Sequence, residues 1–328
     1  MGRLMNFSRF RIRVVRLSAA ALCLLLLPGL TLAQGPAAPA DAQSPPSILR
    51  QIDAAPNRGL LYEISDGKGV LYLFGTIHVG KPEFYPLNRR VVDAVRSSGF
   101  LAVEADVTDT AAMGKLIAEY AMYPAADSLD RHISSKLMQK LQPVLEKYKI
   151  PLESARRMKP WLVALALEYA GLADTGYNPQ YGADLFLIGL AKALKKPIAE
   201  VESMEFQMHL FDSMTPAEQE DDLAGTVDEL ASGEYRALIA KLAEAWSHAD
   251  TAALNMALDE TEAALPPDSK ALYAKLIKNR NGAMTERIST WLHSDSQYFV
   301  AVGTAHLLGD DGIVARLKAQ GYQVRELR

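Results

Sequence analysis

The sequence contains a single cysteine, Cys23, which lies in an apolar segment near the N-terminus. A chain cut after that segment can form no disulfide, so its stability has to come from the burial of apolar side chains. A long basic stretch is also missing from the part of the chain that follows Asp41, the first acidic residue. The absence of a basic stretch argues against nucleic acid and anionic membranes as partners.

Motifs of several common enzyme classes are missing as well. The chain has no His-Glu-x-x-His motif, no Gly-x-Ser-x-Gly motif, no phosphate-binding loop and no dinucleotide fingerprint. Chemistry that depends on a serine or cysteine nucleophile is therefore not expected.

Residues 1–33 have the three parts of a cleavable secretory signal. Five arginines form a cationic head, an apolar run covers residues 17–32, and Thr31-Leu32-Ala33 places small residues before Gln34. The run is shorter than the roughly 20 apolar residues that a membrane-spanning helix needs, and Pro28-Gly29 interrupts it. We expect cleavage, no stable membrane anchor after processing, and a periplasmic or secreted protein.

The segments that follow the signal differ in composition. Removal of residues 1–33 leaves 30 basic against 39 acidic residues, so the net charge changes from −4 to about −9. Residues 34–47 are rich in alanine and proline and lack periodicity, which predicts a flexible linker. Residues 48–328 are long enough to bury a large core and are predicted to form one domain.

Short strand patterns lie at both ends of this domain, and helical patterns fill its middle at 109–195 and 205–292. The sequence predicts an α/β fold in which N- and C-terminal strands form a mixed central sheet with a large helical insertion, or cap. The predicted strands are 59–64 and 70–74, which flank a hairpin turn, followed by 100–103, 197–201, 298–302 and 323–327.

One local pattern occurs twice, an apolar strand followed by Gly-Thr-x-His. The first copy ends at His78 and the second at His306. Glycine lets the backbone turn sharply as it leaves the strand. Since open α/β sheets place their sites beyond the C-terminal ends of strands, the two histidines can share one pocket.

A third strand ends in an acid, because residues 100–103 run directly into Glu104. An ionisable group at the end of an apolar strand is costly unless it is paired or functional. Two histidines and one carboxylate form a common ligand set for a divalent metal. Glu202, just after the strand at 197–201, is a further candidate ligand.

The two Gly-x-x-His motifs, Glu104 and Asn279-Arg280-Asn281 together resemble the TraB/GumN family. That family is related to the Tiki proteases and, more distantly, to the erythromycin-esterase and ChaN-like proteins. The likeness covers about Leu60 to Leu327 and includes further positions at Gly182-Ala183-Asp184, Lys196-Pro197, Glu202 and Gln207.

The resemblance implies a mixed α/β fold and, in the Tiki branch, peptide cleavage that depends on manganese or cobalt. Those roles carry over to His78, Glu104 and His306. A guanidinium near a metal-bound water can hold a carboxylate or an oxyanion, which makes Arg280 a further catalytic candidate. Asp184 is placed to orient a histidine.

The sequence therefore predicts an exported metal-dependent hydrolase of the metallopeptidase type. The catalytic candidates are His78, Glu104, Arg280 and His306. The candidate metal ligands are His78, Glu104, Glu202 and His306, for manganese, cobalt or zinc. The substrate is a peptide or a small molecule, Glu104 can be a ligand or the general base, and the sequence does not determine the oligomeric state.

Two alternatives remain open at this point. One is a metal-free hydrolase of the erythromycin-esterase type, in which a His and Glu pair activates water directly. The other is a protein without turnover, either a periplasmic metal- or haem-binding protein or an accessory factor for surface polysaccharide or peptide signalling.

Processing is the first testable expectation. Protein recovered from the periplasm should begin at or near Gln34 and should contain no cysteine, because cleavage follows Ala33 and removes Cys23. N-terminal sequencing and intact mass will show this. A chain that still begins at Met1, or that carries lipid on Cys23, would contradict the expectation.

Overall fold

The computed structural model describes residues 51–264 and 267–328. The predicted signal peptide at 1–33 and the predicted linker at 34–47 lie outside the described residues. None of the helices in the described part of the chain is long and apolar enough to cross a membrane.

The described strands form one mixed sheet in the order β4-β3-β5-β2-β1-β6. β1 pairs antiparallel with β2 and with β6, whereas β2, β5, β3 and β4 run parallel to one another. The strands are β1 Leu60–Ser65, β2 Val70–Thr76, β3 Phe100–Val103, β4 Ile198–Glu200, β5 Tyr298–Gly303 and β6 Gln323–Glu326.

The register of the parallel half aligns the strand ends. Thr76 at the end of β2 pairs with Gly303 at the end of β5. Val103 at the end of β3 pairs with Ala301 of β5 and with Glu200 of β4. The chain therefore leaves all four parallel strands at the same edge of the sheet.

Most residues between β3 and β4, and between β4 and β5, lie in helices. The predicted α/β fold with a helical insertion is confirmed, and β4 divides the insertion into two parts. The helices are α1 Arg89–Ser97, α2 Thr110–Leu116, α3 Ser135–Lys147, α4 Leu152–Arg156, α5 Pro160–Gly171, α6 Ala183–Ala193, α7 Met204–Asp212, α8 Pro216–Ser232, α9 Glu234–Ser247, α10 Thr251–Ala264, α11 Pro267–Tyr273, α12 Asn279–Leu292, α13 Thr304–Leu307 and α14 Ile313–Ala319.

Local sequence explains where several of these helices begin and end. Asn88 caps α1 by accepting a hydrogen bond from the backbone of Val91. Thr215 and Glu218 form a reciprocal capping box at the start of α8. Gly233 ends α8 with a left-handed backbone, φ 82°, which glycine adopts without steric cost.

Trp246 of α9 ties the helical part to the sheet. Its indole Nε1 donates a 2.8 Å hydrogen bond to the carbonyl of Gly75 in β2. The ring meets Phe74 edge-on, with 6.3 Å between centroids, and the side chain is fully buried. Because a buried indole and a buried carbonyl both need a partner, this contact positions α9 against the end of β2.

Replacement of Trp246 tests this anchoring. Trp246→Phe should lower the free energy of unfolding by about 1–3 kcal/mol, because it removes the hydrogen bond to Gly75 from a buried position. Urea unfolding measures the change. Trp291→Phe is the matched control, since Trp291 is half-buried and a phenylalanine can keep its stacking on Tyr298. Equal losses in the two variants would contradict the anchoring role.

Candidate active site

The three residues that the sequence singles out lie at one edge of the sheet. His78 follows β2, Glu104 follows β3 and His306 follows β5. All three are buried, with exposed fractions of 5%, 3% and 0%. The predicted placement beyond neighbouring strand ends is confirmed, although His306 lies in the short helix α13 rather than in a loop.

His78 is oriented by a carboxylate from the first turn of α6. Its Nδ1 lies 2.6 Å from Oδ2 of Asp184, and the hydroxyl of Thr76 donates to Oδ1 of Asp184 at 2.6 Å. Burial alone raises the pKa of Asp184, but the charge of protonated His78 and hydrogen bonds from His78 and Thr76 outweigh it and hold the pKa below its ordinary value. Asp184 therefore stays ionised and holds the imidazole, as the sequence predicts.

Close backbone packing makes this contact possible. A Cβ atom on Gly182, the residue before α6, would lie 2.7 Å from the carbonyl oxygen of His78. Real Cβ atoms do not approach an oxygen so closely, so any other residue at this position has to push α6 away from His78. Gly182 thus sets the distance at which Asp184 reaches the imidazole.

His306 is oriented by an amide instead of a carboxylate. Its Nδ1 lies 2.7 Å from Oδ1 of Asn281, while Nδ2 of Asn281 donates to the backbone carbonyl of Asp311 at 3.0 Å. Since the amide nitrogen is engaged with Asp311, the amide oxygen has to face the imidazole. We therefore assign the ring proton of His306 to Nδ1 and the lone pair to Nε2.

The Nε2 atom of His306 is buried and has no hydrogen-bond partner among the described residues. It faces Oε1 of Glu104 at 3.9 Å, too far for a hydrogen bond. Burial holds the pKa of His306 well below its ordinary value, and the positive charges of Arg280 and His78 lower it further. The imidazole is neutral near pH 7, so its lone pair is available to bind an ion or accept a proton.

The Glu104 carboxylate is held from two sides. Oε1 accepts a 2.5 Å hydrogen bond from the backbone N–H of Gly303, and Oε2 accepts a 3.1 Å hydrogen bond from Arg280. Burial and the nearby charge of Glu202 raise the pKa of Glu104, whereas the charges of Arg280 and His78 lower it. Burial has the largest effect, so the pKa of Glu104 lies above its ordinary value. A raised pKa suits a carboxylate that takes up a proton near neutral pH.

Arg280 of α12 lies between two carboxylates and is itself buried. Its Nη2 lies 2.5 Å from Oε2 of Glu202 and 3.1 Å from Oε2 of Glu104, and Nη1 donates to the carbonyl of Leu276. Burial lowers the pKa of Arg280, but the bonds and charges of both glutamates outweigh it and raise the pKa. The observed contacts of Arg280 are thus ion pairs, and its predicted role toward an oxyanion stays a prediction.

Glu202 contacts Arg280 and the side-chain amide of Gln207, at 3.2 Å from Nε2 of Gln207. Through these contacts the negative charge of Glu202 balances the positive charge of the buried guanidinium of Arg280. Its predicted role as a metal ligand also stays a prediction.

The donor atoms can be tested for their fit to a divalent metal. Nowhere in residues 51–264 and 267–328 do three or more His, Cys, Asp or Glu side chains form a ready-made metal cluster. The donor chemistry nevertheless fits, because each imidazole has its Nδ1 held by an acceptor, the usual arrangement of metal-binding histidines. Nε2 of His306, which bonds to none of the described residues, and the facing Oε1 of Glu104 are donors of the kind that zinc, manganese and cobalt accept.

Two positioning residues were missed by sequence reasoning. Thr76 supports Asp184, whereas the matching Thr304 donates to the backbone carbonyl of Thr76 at 2.8 Å, so the two motif copies are not equivalent. Asn281 was noted only as a neighbour of Arg280. Its contact with His306 depends on how α12 packs beside α13, which no local pattern reveals.

The chain belongs to the TraB/PrgY/gumN family, whose model matches residues 60–326. It is 26% identical over 253 residues to the uncharacterized protein YbaP of Escherichia coli (strain K12). The match covers 77% of this chain and 89% of YbaP. The expected family membership is confirmed.

Two animal proteins are similar over the same share of the chain. Metalloprotease TIKI2 of Xenopus tropicalis is 26% identical over 300 residues, and Metalloprotease TIKI1 of Homo sapiens is 23% identical over 306 residues. Each match covers 77% of this chain but only 57% of TIKI2 and 59% of TIKI1. No solved structure matches this chain.

The lowered pKa of His306 predicts a pH dependence of stability in chelator-treated protein. Below pH 6.5 the unfolded histidine binds a proton that the folded one does not, so stability is full above pH 6.5 and is lost as the pH falls. The loss from this residue is up to about 1.4 kcal/mol for each pH unit. Urea unfolding at several pH values between 7 and 5 measures it.

The comparison that isolates His306 uses two variants. His306→Gln should show a shallower loss of stability with falling pH than the wild type. His248→Gln should keep the wild-type dependence, because the side chain of His248 is 67% exposed. A wild-type pH dependence in His306→Gln would show that His306 is not held neutral.

Proposed function

We propose that this protein is an exported metal-dependent hydrolase that cleaves peptide bonds. The observation that carries the proposal is the buried Nε2 atom of His306, which has no hydrogen-bond partner in the described part of the chain and faces the Glu104 carboxylate. A buried polar atom without a partner is costly, which is typical of an atom kept for a ligand. Similarity to proteins named metalloproteases supports a peptide as the substrate.

His78, Glu104 and His306 are the residues that we propose to hold the ion, with manganese, cobalt or zinc as candidates. A bound ion of this kind lowers the pKa of a coordinated water toward about 7 and polarises a carbonyl group. The chain itself supplies the orientation, because Asp184 and Asn281 hold the Nδ1 atoms of the two imidazoles.

Glu104 is proposed to act either as a ligand or as the base that accepts the proton of the attacking water. The N–H of Gly303 and the guanidinium of Arg280 each bond to one of its oxygens and so hold the carboxylate in a defined orientation. Glu202 balances Arg280, so the guanidinium does not fully suppress the basicity of Glu104. Arg280 also contributes positive charge beside the place where an oxyanion would form.

One observation favours a second candidate, hydrolysis without a metal. The described side chains form no ready-made cluster of three ligands, whereas Glu104 already has the raised pKa of a general base. In that case Glu104 and His306 would activate water directly, and chelators would not change the hydrolytic activity.

Metal analysis and cleavage assays separate the two candidates. Protein purified without chelators should contain about one manganese, cobalt or zinc ion, cleave members of a peptide library, and lose activity with a chelator. His78→Ala and His306→Ala should lose most of the metal, and Asn281→Ala should weaken metal binding about 10–100-fold. His248→Ala is the matched control and should behave as the wild type, since its side chain is exposed.

Arg280 needs a conservative variant. Arg280→Ala would leave Glu104 and Glu202 buried without their cation, at a cost of about 3–5 kcal/mol in stability. Arg280→Lys keeps the charge but loses the paired hydrogen bonds, so turnover should fall while the metal is retained.

Full metal content and full activity in the His78→Ala and His306→Ala variants would refute the site. Metal-free wild type that still cleaves peptides would favour the second candidate.

A further inference from the structure

An apolar pocket lies against the backbone of both Gly-Thr-x-His segments. One wall is formed by His78 of the first segment and Thr304 of the second. The opposite wall comes from α9 and α10 and consists of Leu242, Trp246, Leu254 and Leu258. The pocket therefore borders the candidate site directly, and its outer wall belongs to the helical insertion.

The size of the pocket limits what it can hold. Its free volume is about 60 Å³, which at about 10–15 Å³ for each water corresponds to roughly four to six water molecules. The branched carbon atoms of a valine or leucine side chain need a similar space. An aromatic ring is larger than either side chain, and we expect it to fit less well.

The leucine wall of the pocket disfavours polar occupants. Ordered water in a cavity needs several polar partners, and the leucine side chains of α9 and α10 offer none. A charged side chain would lose its hydration there without an ionic partner on the leucine wall. An aliphatic group gains from the same surroundings, because it removes apolar surface from water.

The pocket is preformed on one side and open on the other. Trp246 is held by its hydrogen bond to Gly75 and packs against Phe84, with 5.7 Å between ring centroids. Leu258 and Ala305 are only half-buried and mark the opening. A rigid wall behind an open mouth is typical of a site that selects its ligand by size.

We propose that this pocket binds one aliphatic side chain of the substrate, of the size of valine or leucine, beside the bond that is cleaved. The proposal rests on the proposed function, since it places the reacting carbonyl group next to His78. Leu258 lies at the mouth of the pocket and Trp246 forms its rigid wall.

Binding measurements test the pocket without requiring turnover. The probes are peptides acetyl-Gly-Gly-X-Gly-Gly-amide in which X is Gly, Val, Leu or Phe, titrated calorimetrically into the purified protein with a chelator present. The Val and Leu peptides should bind at least tenfold more tightly than the Gly peptide, because each buried carbon adds to the affinity. Equal dissociation constants for all four peptides would overturn the proposal.

Leu258 variants change the pocket in opposite directions. Leu258→Ala widens it and should bring the affinity of the Phe peptide up to that of the Leu peptide. Leu258→Phe fills it and should reduce the affinity of the Leu peptide to that of the Gly peptide. Met256→Ala is the matched control, because Met256 lies on the same helix with 56% of its surface exposed. A wild-type order of affinities in both Leu258 variants would also overturn the proposal.

A parallel cleavage assay separates this proposal from the proposed function. If the peptides bind in the expected order but no metal supports cleavage, the pocket stands and the hydrolase proposal fails. If peptides are cleaved with no preference for X in either binding or rate, the hydrolase stands and the pocket proposal fails.

Discussion

The parallel pairing of β5 with β2 on one side and with β3 on the other is the constraint on which the candidate site depends. The three strands come from distant parts of the chain, yet their shared direction brings His78, Glu104 and His306 to one edge of the sheet. An antiparallel β5 would have placed His306 at the opposite edge. The backbone N–H of Gly303 at the end of β5 also donates to Glu104, so the strand end itself contributes to the site.

Charge within this buried edge is distributed in a defined way. One guanidinium, Arg280, serves two carboxylates, and burial of the group leaves Glu104 with a raised pKa even though it is ion-paired. His306 is kept neutral by burial and by the nearby positive charges. Asp184 stays ionised beside His78. The two histidines thus lie in different electrostatic surroundings although their motifs are alike.

The helical insertion completes the site rather than merely covering it. α6 brings Asp184 to His78, α12 brings Arg280 and Asn281, and α7 brings Gln207 to the two glutamates. Trp246 of α9 bonds to the carbonyl of Gly75 at the end of β2, so the wall of the apolar pocket and the sheet edge are held together. The match to the TraB/PrgY/gumN family model, at residues 60–326, spans this arrangement.

The sequence by itself determined the strands, the position of the helical insertion and the family, because alternating and periodic apolar residues and short Gly-Thr-x-His motifs are local signals. It also indicated His78, Glu104 and His306 as residues at strand ends, and the structure brings them to one edge. Only the tertiary structure decided that Asn281 orients His306, that Arg280 and Glu202 form a buried ion pair, and that α9 and α10 enclose an apolar pocket. These features join residues far apart in the chain, and their contacts depend on helix packing, for which a sequence pattern carries no distance information.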